Sequence, residues 1–273
     1  MDDKAWGIRI ENLCGGYGGR LILENFTAAI PGGAITTILG ESGCGKTTLL
    51  RMLLGLTPAT SGNIFIGGRD TTHMAPAQFH KLRRRFGVLF QDGALISALT
   101  LAENTELPLM EHTKLPRKML REAALRTLEL VGLRKFADFY PGELSGGMRK
   151  RAGLARAIVT EPPVLFCDEP TSGLDPITAA QMDQLLLDMK SCYPQMTIVV
   201  VTHDLDSMAR LADDVLVLKD KKAVFSGRKD DLLMSDNPYI RSLLDRQFEE
   251  SRRMAAPPLD ESVRSALSAW LDA

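Results

Sequence analysis

The chain has no apolar run close to the roughly 20 residues that a helix needs to cross a bilayer. Its first ten residues, MDDKAWGIRI, lack the basic, apolar and small-residue zones of a secretion leader. It is therefore expected to reach a membrane only through a partner. Cysteine is scarce: Cys14, Cys44, Cys167 and Cys192 form no CxxC pair, which suits a reducing compartment better than a disulfide framework. Charge imbalance is missing too. With 33 Lys and Arg against 34 Asp and Glu, the formal net charge is −1, and bulk electrostatics give no pull toward nucleic acid or an anionic membrane. The local run Lys81, Arg83, Arg84, Arg85 reads as a solvated helix face whose charge suits a C-terminal end. No long coiled-coil insertion or duplicated domain is visible. What remains is 273 residues of ordinary composition, 45% hydrophobic and 25% charged, enough for one large α/β domain or two small ones.

The stretch that organises the chain is Ile35 to Thr48. A β-rich run, Ile35-Thr36-Thr37-Ile38-Leu39, meets Gly40-Glu41-Ser42-Gly43-Cys44-Gly45-Lys46-Thr47, and Thr48-Leu49-Leu50 opens a helix. This is the phosphate-cradling pattern G-x-x-x-x-G-K-[ST] between the strand and helix it requires. The glycines allow tight turning, and the loop from Gly40 through Thr48 presents backbone N–H groups to phosphate at a helix N-terminus. Lys46 is placed to reach the β- and γ-phosphates of a nucleoside triphosphate, and the Thr47 hydroxyl to ligate Mg²⁺.

Around it, Ile8 to Leu13 alternates like a strand, and Gly15 to Gly19 reads as a loop too glycine-rich to be regular. Leu21 to Ile30 and Asn63 to Ile66 read as further strands. Their short glycine turns suggest an antiparallel addition to a nucleotide-binding core. Gln78 to Arg85 reads as a helix leading into the buried strand Phe86 to Phe90. No strand signal occurs from Thr100 to Val159, where Leu120 to Val131 and Gly146 to Ile158 have helical spacing and Gly132 caps the first. Buried strands are expected at Val164 to Cys167, Thr197 to Val201, Val215 to Leu218 and Ala223 to Phe225, with helices at Pro176 to Lys190 and Ser207 to Ala212. This alternation implies a largely parallel sheet with crossovers. After Asp236, Tyr239 to Phe248 reads as a helix. Val263, Ala266, Leu267, Trp270 and Leu271 then form one apolar stripe, which should dock on the chain's own domain, a second copy or a partner.

Phosphoryl transfer also needs a metal clamp and a positioned water. Val164 to Cys167 ends in Asp168 and Glu169. Asp168 is expected to hold Mg²⁺ opposite Thr47, and Glu169 to act as general base on the attacking water. With these residues the chain resembles the ATP-binding cassette family from Ile8 to about Gly227. Leu144-Ser145-Gly146-Gly147-Met148 looks like the family signature, with Ser145 as a helix N-cap. The resemblance implies that Ser145, Gly146 and Gly147 bind the γ-phosphate held by another subunit, so that hydrolysis needs a head-to-tail dimer. The family usually has Gln where Met148 stands, and a thioether cannot donate a hydrogen bond. It further implies that Tyr17 stacks on adenine and that Gln91 senses the γ-phosphate and Mg²⁺ and links to the membrane subunit. Ser172-Gly173-Leu174-Asp175 matches the loop that crosses the dimer interface, and His203 the residue that contacts the γ-phosphate and helps place the water.

The implied fold is α/β, a P-loop NTPase with a RecA-like parallel core sheet, an antiparallel β subdomain and a helical signature subdomain. The cassette is expected over 1–235, its helical subdomain over about 92–160, and a helical extension over 236–273. Gln91-Asp92-Gly93-Ala94-Leu95-Ile96, the methionine-closed signature and Asp175-Pro176-Ile177-Thr178 resemble the ATPase subunits of MCE/Mla-type phospholipid transporters. That resemblance implies two ATPase copies and MlaE-like membrane permease subunits contacting the region after Gln91. It also implies a periplasmic MCE lipid-binding protein, no nucleic acid, and a place on the cytoplasmic face of the bacterial inner membrane. An amino-acid importer or a lipoprotein-release system would share every catalytic motif; a soluble cassette acting on DNA or the ribosome would usually carry two cassettes or long coiled coils.

Overall fold

The computed structural model describes residues 6–245 and 260–271. It divides into two compact units, Met1–Leu233 and Met234–Ala273. In the first, β1 (Ile8–Tyr17), β2 (Arg20–Ile30), β4 (Ser61–Ile66) and β5 (Arg69–Asp70) form an antiparallel sheet in the order β2-β1-β4-β5. The strand β1 runs further than its sequence suggests. Gly15 and Gly16, expected in an irregular loop, pair with Leu23 and Leu21 across bulges, and only Gly18 and Gly19 turn the hairpin. At Gly16 a Cβ would fall on the backbone carbonyl of Arg20, so the absence of a side chain is what admits the bulge there.

The second sheet follows the order β10-β9-β3-β8-β7-β6. It comprises β3 (Ile35–Leu39), β6 (Phe86–Leu89), β7 (Val164–Asp168), β8 (Thr197–Val201), β9 (Asp214–Lys219) and β10 (Lys222–Arg228). Five strands are parallel and β10 folds back antiparallel on β9. β-branched residues fill β3 and β8, whose every residue is buried, as expected of strands covered on both faces. Between the strands run α1 (Lys46–Leu53), α2 (Pro76–Arg83), α3 (Leu101–His112), α4 (Arg117–Leu130), α5 (Gly146–Ile158), α6 (Pro176–Cys192) and α7 (Leu205–Leu211), and α8 (Lys229–Leu233) follows β10. The helix α3 has no clear apolar period and contains Pro108. It starts at a capping box, with Thr100 accepting from the Glu103 N–H and Glu103 from the Thr100 N–H.

The pleat of this sheet sorts the core in two. Val164, Phe166, Val199, Val201 and Ile38 pack with α1 and the antiparallel sheet. Leu165, Cys167, Ile198 and Val200 pack on the opposite face with residues of α5 and α6. The helix behind the phosphate loop and the signature helix α5 therefore lie on opposite faces of one sheet.

The second unit contains α9 (Pro238–Leu244) and α10 (Glu261–Leu271). Asn237 caps α9 by accepting from the Tyr239 and Ile240 N–H groups. The part of the predicted Tyr239 to Phe248 helix past Asp245 lies outside the described residues, as do the side chains of Ala266, Leu267 and Leu271 from the predicted stripe. Its other members, Val263 and Trp270, are exposed.

Candidate active site

Because β3, β8, β7 and β6 run parallel, their carboxyl ends share one edge. In that order they deliver the phosphate loop, His203, the Asp168–Glu169 pair and Gln91. That edge is where open α/β sheets bind ligands.

The phosphate loop leaves β3 at Gly40 and enters α1 at Gly45, which has φ 114° and no side-chain cap. A side chain at Gly45 would be strained and would also press on Ile22 and Leu23 of β2. The uncapped first turn leaves its N–H groups facing outward with the positive end of the helix dipole. Lys46 is buried, and its ammonium donates to the carbonyls of Gly40 at 2.6 Å and Glu41 at 3.0 Å, which holds the loop around its own cation. Glu41, Ser42, Gly43 and Thr47 are exposed along the loop, while Cys44 and Thr48 are half-buried. Burial raises the Cys44 thiol, so it stays protonated near neutral pH.

Asp168 falls in phase with Val164 and Phe166, toward the α1 face. Its Oδ1 is buried without a hydrogen-bond partner. Burial pushes this carboxyl upward, the adjacent Glu169 charge adds to the rise, and Lys46 opposes it. Such an oxygen lacks a cation or a donor. Glu169 follows with φ 49°, a left-handed conformation costing a non-glycine residue about 1–3 kcal/mol. The strain is held from both sides: the Glu169 N–H donates to Val201 O at 2.9 Å, and the Lys150 ammonium donates to Glu169 O at 3.1 Å. The turn throws the Glu169 carboxylate against His203, whose Nδ1 lies 3.0 and 2.9 Å from its two oxygens. Gln91 is exposed just past β6.

Tyr17 stands at the tip of the β1–β2 hairpin rather than inside a loop. Its hydroxyl shares a 3.0 Å bond with Thr57 Oγ1, and much of the ring is exposed. Ser145 caps α5 by accepting from the Met148 N–H at 3.3 Å. Ser145 and Gly146 are exposed, Gly147 buried. A Cβ on Gly147 would lie 2.6 Å from Thr178 Cγ2, so glycine is what lets the signature turn press against the start of α6. Asp175 caps α6 by accepting from the Ile177 and Thr178 N–H groups, both at 3.1 Å. The structure thus gathers the phosphate loop, Asp168, Glu169, His203 and Gln91 on one edge and leaves the signature turn on a helix of the other face.

Three supporting residues carry no motif. Lys150 donates to Glu169 O and, at 2.5 Å, to Ser172 O. Arg156 donates to Ala94 O at 2.7 Å and Gly93 O at 2.9 Å, with burial lowering its pKa. Asn104, wholly buried, exchanges bonds with both the N–H and the C=O of Ile96 and donates to Leu99 and Thr100. Ala94, like Glu169, is left-handed at φ 49°. The available signal was polarity out of phase: Lys150 shares the buried face of α5 with Leu154 and Ala157 at i+4 and i+7.

A phosphate cradle with acid, histidine and amide groups on the neighbouring strands defines a P-loop nucleoside triphosphatase. Comparison with known proteins narrows the class. A family model described as ABC transporter matches residues 23–172. The chain is 41% identical over 228 residues to the intermembrane phospholipid transport system ATP-binding protein MlaF of Escherichia coli K12, covering 84% of each. It is 40% identical over 270 residues to the probable ribonucleotide transport ATP-binding protein mkl of Mycobacterium leprae, covering 97% of this chain and 76% of that one. The solved cassette MJ0796, dimeric and bound to ADP and Pi after hydrolysis, matches with a TM-score of 0.73 at 31% identity, over 81% of this chain and 98% of its own. The chain belongs to the ABC transporter family and is an ATPase of that family.

Proposed function

We propose that the chain is the ATPase subunit of an MCE/Mla-type transporter that moves phospholipid across the bacterial cell envelope. It works as a head-to-tail pair on the cytoplasmic face of the inner membrane. The cassette spans about 1–235 and the extension 236–273. The observation that carries the cargo is the 41% identity to MlaF across 84% of both chains. Among the described residues no helix is long and apolar enough to cross a membrane, which fits attachment through permease subunits at the exposed stretch after Gln91. A periplasmic MCE lipid-binding protein completes the assembly.

In this reading Tyr17 stacks on adenine, and the loop from Gly40 to Thr48 binds the phosphates with its N–H groups. Lys46 leaves the Gly40 and Glu41 carbonyls for the β- and γ-phosphate oxygens. The unpartnered Asp168 Oδ1 fits Mg²⁺, a hard cation that takes oxygen ligands. Asp168, with Thr47 and Gln91, would hold the ion, which would neutralise charge developing on the phosphates. Glu169 takes the proton of the attacking water, His203 orients that water and the γ-phosphate, and Ser145, Gly146 and Gly147 close the site from the second subunit. The opposite-face placement of α1 and α5 supports the pair.

Reconstitution with permease and MCE protein in vesicles tests the cargo. ATP-dependent movement of a labelled phospholipid is expected. Ribonucleotide uptake without lipid movement would instead favour a ribonucleotide transporter, the reading that the mkl likeness over 97% of this chain supports.

A further inference from the structure

Lys150 is almost completely buried at 5% exposure, one turn into α5 from the signature. Its ammonium reaches across to the segment after β7 and donates to two backbone carbonyls there, Glu169 O at 3.1 Å and Ser172 O at 2.5 Å. That segment is stiff. The Ser172 N–H donates to Glu169 O at 3.2 Å, the Leu174 N–H to Thr171 O at 3.2 Å, and Asp175 fastens its far end to α6. The helix α5 grips it at a second point, the close approach of Gly147 to Thr178. Signature turn and catalytic turn are therefore joined within one chain by a cation and a steric contact.

We propose that Lys150 is a positioning residue for hydrolysis, coupling the signature turn to the orientation of Glu169 in the same chain. This rests on the head-to-tail reading above. There, the signature turn touches the nucleotide held by the partner, whereas Glu169 serves the nucleotide on its own phosphate loop. Lys150 then transmits occupancy of one site to the chemistry of the other. Glu169 is left-handed, and the carbonyl that Lys150 holds belongs to the same residue as the carboxylate, so Lys150 fixes the backbone from which that side chain projects. A purely structural role would be met by a neutral amide at lower desolvation cost. Burial does lower the Lys150 pKa, and the charges of Asp92 and Glu169 act to restore it.

The test uses full-length wild type, K150M and K150R. Wild type is expected to hydrolyse ATP with a Hill coefficient above one. K150M should bind trinitrophenyl-ATP and show a KM within about twofold of wild type, lose at least about tenfold in kcat, and give a Hill coefficient of one. K150R, which keeps the charge and the donors, should recover most of the kcat. A K150M kcat within twofold of wild type, or a loss shared equally by nucleotide binding and kcat, overturns the proposal. If K150M does not fold, K150Q is judged by the same criteria, and failure of both to fold assigns Lys150 to the fold alone. Hyperbolic kinetics in the wild type would instead sink the paired-site reading, and the coupling with it.

Discussion

The Nδ1 of His203 lies within 3.0 Å of both carboxylate oxygens of Glu169, so these two side chains face each other before anything else. Beside a carboxylate, Nδ1 carries the proton, and the neutral ring then has only an acceptor at Nε2. An acceptor repels phosphate oxygen. His203 can donate to a γ-phosphate by turning away from Glu169, which frees the proposed base.

The two residues should therefore behave as one unit. Glu169→Gln is expected to keep ATP binding and lower kcat by about 10²–10⁴-fold, and His203→Ala by about 10²-fold. The double variant should lose no more than the worse single one, as residues acting jointly do. Steady-state ATPase assays decide it, and multiplicative losses would show that they act separately.

Asp168 predicts a trade between stability and activity. Its carboxyl titrates above the ordinary 3.8 in the folded chain because of burial. Between 3.8 and the raised value the folded chain keeps a proton that the unfolded chain releases. Stability thus falls as pH rises through that window, and the full cost is present above it. Asp168→Asn should abolish ATPase activity yet raise the melting temperature at pH 7 by about 2–4 °C, the equivalent of roughly 1 kcal/mol. The gap should close as pH approaches 4. Thermal unfolding without nucleotide or metal measures this, and a less stable variant would contradict it.

Gly147→Ala places a methyl group against Thr178 Cγ2 at 2.6 Å. The signature turn must move, so ATP binding should be retained while hydrolysis falls about tenfold or more. Adding Thr178→Ser removes the obstructing methyl and should restore part of the rate. No recovery would place the fault elsewhere.

Arg156→Met leaves the Gly93 and Ala94 carbonyls without their donors. A loss of about 2–3 kcal/mol is expected, seen as a melting temperature lower by roughly 4–10 °C. Permease capture should weaken as well if the stretch after Gln91 is the docking surface. Arg156→Lys should lie between, since one ammonium cannot fork to two carbonyls as well as a guanidinium. Full capture by a destabilised Arg156→Met would separate the anchor from docking.

The motifs were legible because their chemistry is local. Gly40 to Thr47 and Asp168-Glu169 each lie at the end of one apolar strand, and hydrophobic runs mark β3, β7 and β8 without ambiguity. The helix α3, expected only as part of a helical subdomain, was left without bounds because burial on several sides blurs its period and Pro108 interrupts it; its one clear signal was the Thr100–Glu103 box. The strand β1 was cut short because glycine reads as a turn, although at Gly15 and Gly16 it serves close packing and bulges. Lys150, Arg156 and Asn104 were hard to read for a different reason. Each acts on backbone groups, distant in sequence for Lys150 and Arg156 and close by at Ile96, Leu99 and Thr100 for Asn104, and a backbone group has no residue identity to read.

The two-faced sheet has a genetic consequence. In the proposed head-to-tail pair, a chain that carries both halves of a site on opposite faces lends one half to its partner and borrows the other. A defective signature turn therefore damages the site of a healthy partner. Where normal and defective copies are made equally and pair at random, roughly a quarter of the pairs are wholly normal. Mutations at Ser145 or Gly147 should then act dominantly, poisoning subunits whose own sequence is intact.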